Sequence, residues 1–510
     1  MTTPKRSAPA PDARRRRRTA LLALCLAGFV IQLDVTVVNV ALPTIQHELD
    51  AATGALEWII SGYALGLAAL VPVTGALGDR LGHRPVLLAG LAAFGLCSAG
   101  AALAPNPAAL IGARVGQGAG GAAILALTLA VLSDTYPPAR RGHAIGWWAA
   151  IGGVGFGAGP IVGGLLLAGF GWSTIFWVNV PIVVLTVGLI LRAVPGTAAA
   201  HAPRPLDVPG VVLASLGLAG VTFGLITTSD VPWKPVPTLL PLVFGALALA
   251  AFVHWQRRAG EPLVPRDVRG NTAFISACVL YFLSYLAFSG TLYYVTLMFQ
   301  NLLGWSALRT GLSWLLMNAP FLVAAQMAGK LGQHFTPRAI VTTGCATGAL
   351  GIAALSTVTP TTPFALAAVG YLVAGAGFGL LVPGITTVAM RDVSGPDTGA
   401  ASAMLNSSRQ LGTAVGLALV AAMGTAVTHH SWNASPYGHT HTSPGPIPVG
   451  NLHGVPPQMR GTASNAFELG YHVALGICLA SLLIAVWLSA HAFTPRTTPL
   501  AATEAKEPIL

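Results

Sequence analysis

Residues 75–90 read G-A-L-G-D-R-L-G-H-R-P-V-L-L-A-G. Glycine and charge are concentrated between Gly75 and Arg84, and an apolar stretch lies on either side, at about 55–76 and 86–104. About 20 apolar residues, rising 1.5 Å each, cross a hydrocarbon core of ~30 Å. The segment therefore reads as the tight turn of a transmembrane hairpin. Further along the chain the same alternation gives fourteen candidate spans, at about 19–43, 55–76, 86–104, 107–132, 143–168, 172–192, 208–228, 237–256, 273–299, 308–330, 338–358, 363–390, 399–424 and 469–492.

Composition agrees. Of 510 residues, 54% are hydrophobic and 8% are Asp, Glu, Lys or Arg. A soluble domain carries roughly 25% charged residues, and a disordered chain is far less apolar. An all-α membrane protein is expected. The net charge of +11 does not call for a nucleic-acid partner, because the positive charges are distributed as a topology signal. With the N-terminus inside, only Lys234, Arg309 and Arg460 of the 27 Lys and Arg fall outside, while Arg114 and Arg409 lie within spans. An even span count then puts both termini in the cytosol.

The chain is expected to divide into a basic tail (1–18), a six-helix bundle (19–192), two linker helices (208–256), a second six-helix bundle (273–492) with an outer loop at 425–468, and a cytosolic tail (493–510). The run Arg14–Arg18 precedes an apolar stretch too long for a signal peptide, so an uncleaved first helix is expected. The same run suits anionic membrane lipid. Cys25, Cys97, Cys278, Cys345 and Cys478 show no paired spacing and read as small apolar residues. His429, His430, His439, His441 and His453 have no Cys companion in the outer loop and no acid nearer than Glu468 at its far edge, so the segment reads as surface loop. No metal site and no cofactor are expected.

An internal repeat underlies the two bundles. At an offset of 254, Gly75, Leu77, Gly78, Arg84 and Gly90 match Gly329, Leu331, Gly332, Arg338 and Gly344. At an offset of 257, Gly118, Gly120, Gly142, Gly155 and Gly159 match Gly375, Gly377, Gly399, Gly412 and Gly416. Duplicated halves are common in transporters.

The hairpin turn resembles the signature G-x-L-a-D-r-x-G-r-k of the major facilitator superfamily at Gly75, Asp79, Arg80, Gly82 and Arg84, with His83 in place of a basic residue. The resemblance implies that Asp79 docks on the start of the thirteenth helix, near Gly399, as a conformational latch. The fifth span, G-W-W-A-A-I-G-G-V-G-F-G-A-G-P-I-V-G-G, resembles the antiporter motif of exporters in that superfamily at Gly146, Gly155, Gly159, Pro160, Gly163 and Gly164. Small residues let helices touch closely, and a proline bends a helix. The stretches at 33–45, 171–181 and 406–416 resemble the fourteen-helix drug:proton antiporter branch. This implies the major facilitator fold, placed in the bacterial cytoplasmic membrane and expected as a monomer.

Asp34 is the acid well inside a span. A carboxyl at membrane depth is costly and usually functional. By helical rise it lies ~13 Å from the outer end of its helix, and Arg114 lies ~10 Å from the outer end of its own, so the two can pair. The family resemblance links this arginine to proton transfer. Candidate cavity residues are Asn39, Tyr285, Tyr293, Trp314, Asn318, Asn406 and Arg409, an aromatic and neutral polar set with one cation near the midplane. The expected activity is proton-coupled export of a small hydrophobic drug or antibiotic. A same-fold importer and a non-transporting sensor are the alternatives. An enzyme is not expected, since no cluster of His, Asp and Glu occurs at membrane depth.

Overall fold

The computed structural model describes residues 11–51, 53–195, 207–227, 239–260, 262–263, 270–332, 334–391, 393, 398–437, 447, 450, 452 and 455–492. The tail at 493–510, the first ten residues, Lys234, His439, His441 and His453 lie outside this set. Among the described residues all regular structure is helical: α1 Pro11–Glu48, α2 Thr53–Leu81, α3 His83–Ala102, α4 Pro107–Thr135, α5 Pro138–Phe170, the single turn α6 Thr174–Trp177, α7 Asn179–Ala193, α8 Val208–Thr227 and α9 Leu240–Arg258. The rest are α10 Thr272–Leu297, which runs into a π-helical turn at Met298–Leu302, the short α11 Ala307–Ser313, then α12 Leu315–Leu331, α13 Pro337–Ser356, α14 Phe364–Ala389, α15 Thr398–Asn433 and α16 Pro457–Ala492.

Among the described residues thirteen helices are long and apolar enough to cross a membrane, and α5, bent by 43° between Arg140–Gly159 and Ile161–Phe170, makes fourteen. A proline between the two segments removes a backbone donor, which accounts for the bend. Large side chains such as Leu96, Leu165, Phe170 and Trp487 are more than 60% exposed. Large apolar side chains exposed to this degree on membrane-length helices suit contact with lipid. The chain is a multi-pass membrane protein.

In the first half α1 packs on α5 and α7, and α4 on α2 and α3. In the second half α10 packs on α15 and α16, and α14 on α12 and α13. Helices α8 and α9 pair with each other, and α8 leans on α2.

The sequence repeat reappears as repeated contacts. A Cβ on Gly118 would strike the Tyr63 carbonyl, and one on Gly375 would strike that of Met317. Gly90 lies against Gly120 as Gly344 lies against Gly377. The Thr36 hydroxyl donates to the Phe156 carbonyl at 3.0 Å, and the Ser289 hydroxyl to the Thr413 carbonyl at 3.1 Å. Several of the glycines that matched in sequence, among them Gly90, Gly118, Gly120, Gly344, Gly375 and Gly377, are therefore points where helix backbones come close.

Several helices outrun their expected bounds, and the largest difference lies at the outer loop. The loop expected at 425–468 is narrower, because α15 continues to Asn433 and α16 begins at Pro457. Trp432, 2% exposed, packs with Ile447, Val455, Ala463 and Ala466 in a satellite apolar cluster. That burial stabilises the extra turns.

Replacing Gly377 by valine forces α13 and α14 apart, at a cost of about 1–3 kcal/mol or more. Thermal unfolding in detergent should show a clear drop in Tm for Gly377→Val and for its repeat partner Gly120→Val. Gly476→Val, where a Cβ meets nothing within 4 Å, should melt like the parent.

Candidate functional site

Asp34 has no exposed surface and Arg114 is 1% exposed. Arg114 Nη1 donates to Asp34 Oδ2 at 2.5 Å. Gln117 Nε2 and Asn179 Nδ2 both donate to Asp34 Oδ1 at 2.8 Å. Arg114 also donates from Nε to the Ile59 carbonyl at 3.0 Å and from Nη1 to Gln117 Oε1 at 2.7 Å, with Tyr63 stacked 4.4 Å from its guanidinium carbon. Ser98 Oγ accepts from Gln117 and Asn179 and donates to the Phe176 carbonyl. The pair is thus tied to α1, α2, α3, α4, α6 and α7. Two opposite charges at this depth are tolerated because each is partnered and hydrogen-bonded. The sequence pointed to Asp34 and Arg114. It did not single out Gln117, Asn179 or Ser98, although Asn179 sits in the quoted stretch at 171–181, where an amide inside an apolar helix was the available signal.

Beside the pair lies a cavity of about 520 Å³ between the halves. Arg114, Tyr285, Tyr293, Trp314, Asn318 and Arg409 line it. Trp314 stacks on Phe156, with centroids 5.9 Å apart and planes 8° apart. Asn406 does not line it. Its amide donates to the Leu125 and Ser402 carbonyls, which ties α15 to α4. The side chains of Asn39 and Pro160 lie outside the described residues.

The α5 glycines link α1 to the opposite half. A Cβ on Gly155 would stand 2.5 Å from the Phe29 carbonyl, and one on Gly159 would overlap Thr36 Oγ1. Both faces belong to α1, within two turns of Asp34. Gly146 meets the Ala325 carbonyl of α12 instead. Gly163 is buried, and a Cβ on Gly164 would meet nothing within 4 Å. Close packing therefore accounts for Gly146, Gly155 and Gly159, and does not account for Gly164.

At the end of the bundle bearing the hairpin turn, Asp79 Oδ1 accepts from the Gly399 N–H at 2.8 Å and Oδ2 from the Ala400 N–H at 2.7 Å. These are first-turn amides of α15, which have no intrahelical acceptor and attract anions. His83 bridges Asp79 at 2.9 Å and Asp134 at 2.7 Å. Sequence reading passed over both His83 and Asp134 here, because a histidine in a basic position looked like a simple replacement. Gly75 abuts Ala403 and Gly399. Gly82 has φ +96°, a conformation that glycine adopts without strain. Arg84 donates to the Leu191 carbonyl at 3.0 Å, and Arg80 is exposed. Arg141 reaches the Met390 carbonyl at 3.2 Å, so the two halves are sealed together at this end.

Comparison with known proteins agrees with this geometry. Residues 24–417 match the family profile described as Major Facilitator Superfamily. The tetracenomycin C resistance and export protein of Streptomyces glaucescens is 33% identical over 414 residues, covering 81% of this chain and 77% of that one. The methylenomycin A resistance protein of Streptomyces coelicolor is 36% identical over 403 residues, covering 78% and 84%. The fold is that of the human organic anion transporter MFSD10, with a TM-score of 0.64 at 17% identity over 94% of this chain and 100% of that one. The chain belongs to the major facilitator superfamily of membrane transporters. Its bacterial relatives include antibiotic-resistance and export proteins.

Two outcomes follow from the contacts. Gly159→Ala introduces a Cβ onto Thr36 and should shift α1, reducing transport at least ~10-fold on the scale of an overpacked core, whereas Gly164→Ala should transport normally. Equal effects of the two substitutions would contradict the packing assignment. Asp79→Asn removes the charge and leaves one acceptor oxygen for two N–H donors, where each charged hydrogen bond is worth roughly 1.5–3 kcal/mol. Spin labels on Arg80→Cys and Arg391→Cys should then report a longer mean separation in detergent. An unchanged distance distribution would show that Asp79 does not hold this end closed.

Proposed function

We propose that the protein exports hydrophobic, ring-bearing compounds across the bacterial cytoplasmic membrane in exchange for protons, with both termini in the cytosol. The observation that carries the coupling is the fully buried Asp34–Arg114 pair beside the cavity. The export direction is supported by relatives named for resistance and export and by the α5 glycines at the seam between the halves.

The chemistry is a choice between two arrangements. Protonation of Asp34 turns one of its acceptor oxygens into a hydroxyl and removes the charge attraction that holds Arg114. Three donors now converge on fewer acceptor sites, so the network must rearrange. The movement falls on α1, which rests on Gly155 and Gly159 of α5, and α5 rests through Gly146 on α12. A local change in protonation thereby reaches the contact between the halves. Under the proposed topology, the Asp79–Gly399 end is cytosolic and closed. Substrate leaves outward from this state, and a proton enters before the latch opens again. Asp79, His83 and Asp134 act as the closure, and the second half supplies most of the aromatic wall.

The test is transport by full-length protein reconstituted in proteoliposomes under an imposed pH gradient. Asp34→Asn should abolish gradient-driven substrate movement, a loss of at least ~100-fold for a residue that carries the coupled step, while substrate exchange without a gradient persists. Undiminished gradient-driven transport by correctly folded Asp34→Asn protein would overturn the assignment of Asp34 as proton carrier.

A further inference from the structure

The cavity has an unbalanced charge. Two cations line it, Arg114 and Arg409. Arg114 is neutralised by Asp34. Arg409 forms no ion pair with a described carboxylate, and its buried Nε has no hydrogen-bond partner. No Asp or Glu occurs in the described lining. A buried donor without an acceptor is costly, and more so when it is charged.

The surroundings of Arg409 also define a shape. Its guanidinium carbon lies 5.3 Å from the centroid of the Tyr285 ring, so one face of the cation is covered by an aromatic. From Tyr285 the rings continue to Phe288 at 5.8 Å, to Phe156 at 6.4 Å and on to Trp314, stacked on Phe156. The position related to Arg409 by the 257-residue repeat is Gly152, which also lines the cavity. At this repeat position an arginine is therefore present in one half only, and its counterpart has no side chain. A planar guanidinium fork binds a carboxylate through two parallel hydrogen bonds, which an ammonium cannot reproduce.

We infer that the cavity selects planar aromatic compounds bearing an acidic group, with Arg409 holding the anion and the Tyr285–Phe288–Phe156–Trp314 rings holding the ring system. This rests on the export reading and narrows its substrate class. The aromatic wall supplies affinity for flat apolar surface, and Arg409 supplies the discrimination by charge. A permanent cation meets a repulsive charge at Arg409 and finds no carboxylate in the described lining to offset it. The proton site remains separate, since Asp34 is enclosed by Arg114, Gln117 and Asn179.

Three probes with one ring system separate the contributions: 9-anthroate, its methyl ester, and (9-anthrylmethyl)trimethylammonium. Trp148 and Trp314 line the cavity, so quenching of tryptophan fluorescence in purified full-length protein reads binding. The wild type should bind the acid at least ~10-fold more tightly than the ester, the scale of one charged hydrogen bond, and the cation least. Arg409→Gln should bring the acid-to-ester ratio close to one. Arg409→Lys, which keeps the charge and loses the fork, should fall between the two and serves where the glutamine variant fails to fold. A wild type that binds the ester or the cation as tightly as the acid would overturn the inference, as would an acid-to-ester ratio unchanged in both variants. Efflux of the same probes from proteoliposomes under a proton gradient reads the export proposal separately. Arg409-dependent acid binding without efflux would leave the inference standing and remove the export reading.

Discussion

The arrangement depends on one ion pair placed where water is scarce. Separating Asp34 from Arg114 inside the bundle would leave two unpaired charges in a low-dielectric medium, and their attraction there is much stronger than at a surface. The fold meets that demand with donors and acceptors from six helices, so that Arg114 is held from Ile59, Gln117 and Tyr63 as well as from Asp34. In the proposed cycle, protonation of Asp34 removes the charge that holds this network together and so reaches the helices that carry it.

Transmission needs close backbone contact, and the glycines supply it. A large side chain between α1 and α5 would cushion a displacement of α1. Gly155 lies against the Phe29 carbonyl, and Gly159 against Thr36 and the Val37 backbone nitrogen, so little slack remains between the two helices. Glycine pairs at Gly90–Gly120 and Gly344–Gly377 make each half stiff in the same manner. In the proposed cycle the halves move as bodies, and the contact to be broken at one end is chiefly that of Asp79 with Gly399 and Ala400. The two halves share these glycine contacts and differ in the side chains they carry. The first holds the Asp34 network. The second carries Arg409 and Tyr285 on the cavity wall.

Much of this was legible in the sequence because membranes restrict the available patterns. Span length and the glycine offsets pointed to the fold class, and a lone acid inside a span pointed to Asp34 as a candidate. The partners of Asp34 were less visible. Gln117, Asn179 and Ser98 are neutral polar residues of the kind found singly in many helices, and only their convergence from α3, α4 and α7 gives them meaning. Asn406 illustrates the opposite error. A neutral amide one turn from Arg409 suggested a cavity residue, yet helix rotation turns it toward the Leu125 carbonyl. The extent of α15 was underestimated because its last turns are polar, and their stability comes from the burial of Trp432 in contacts distant in sequence.

The central claim is that Asp34 exchanges its proton as the cavity fills. The most direct measurement is proton release on ligand binding, followed in weakly buffered solution of purified protein at a pH where the wild type transports. The account predicts that wild-type protein releases protons when ligand is added and that Asp34→Asn binds ligand without release. Equal release by the two proteins would place the coupling group elsewhere.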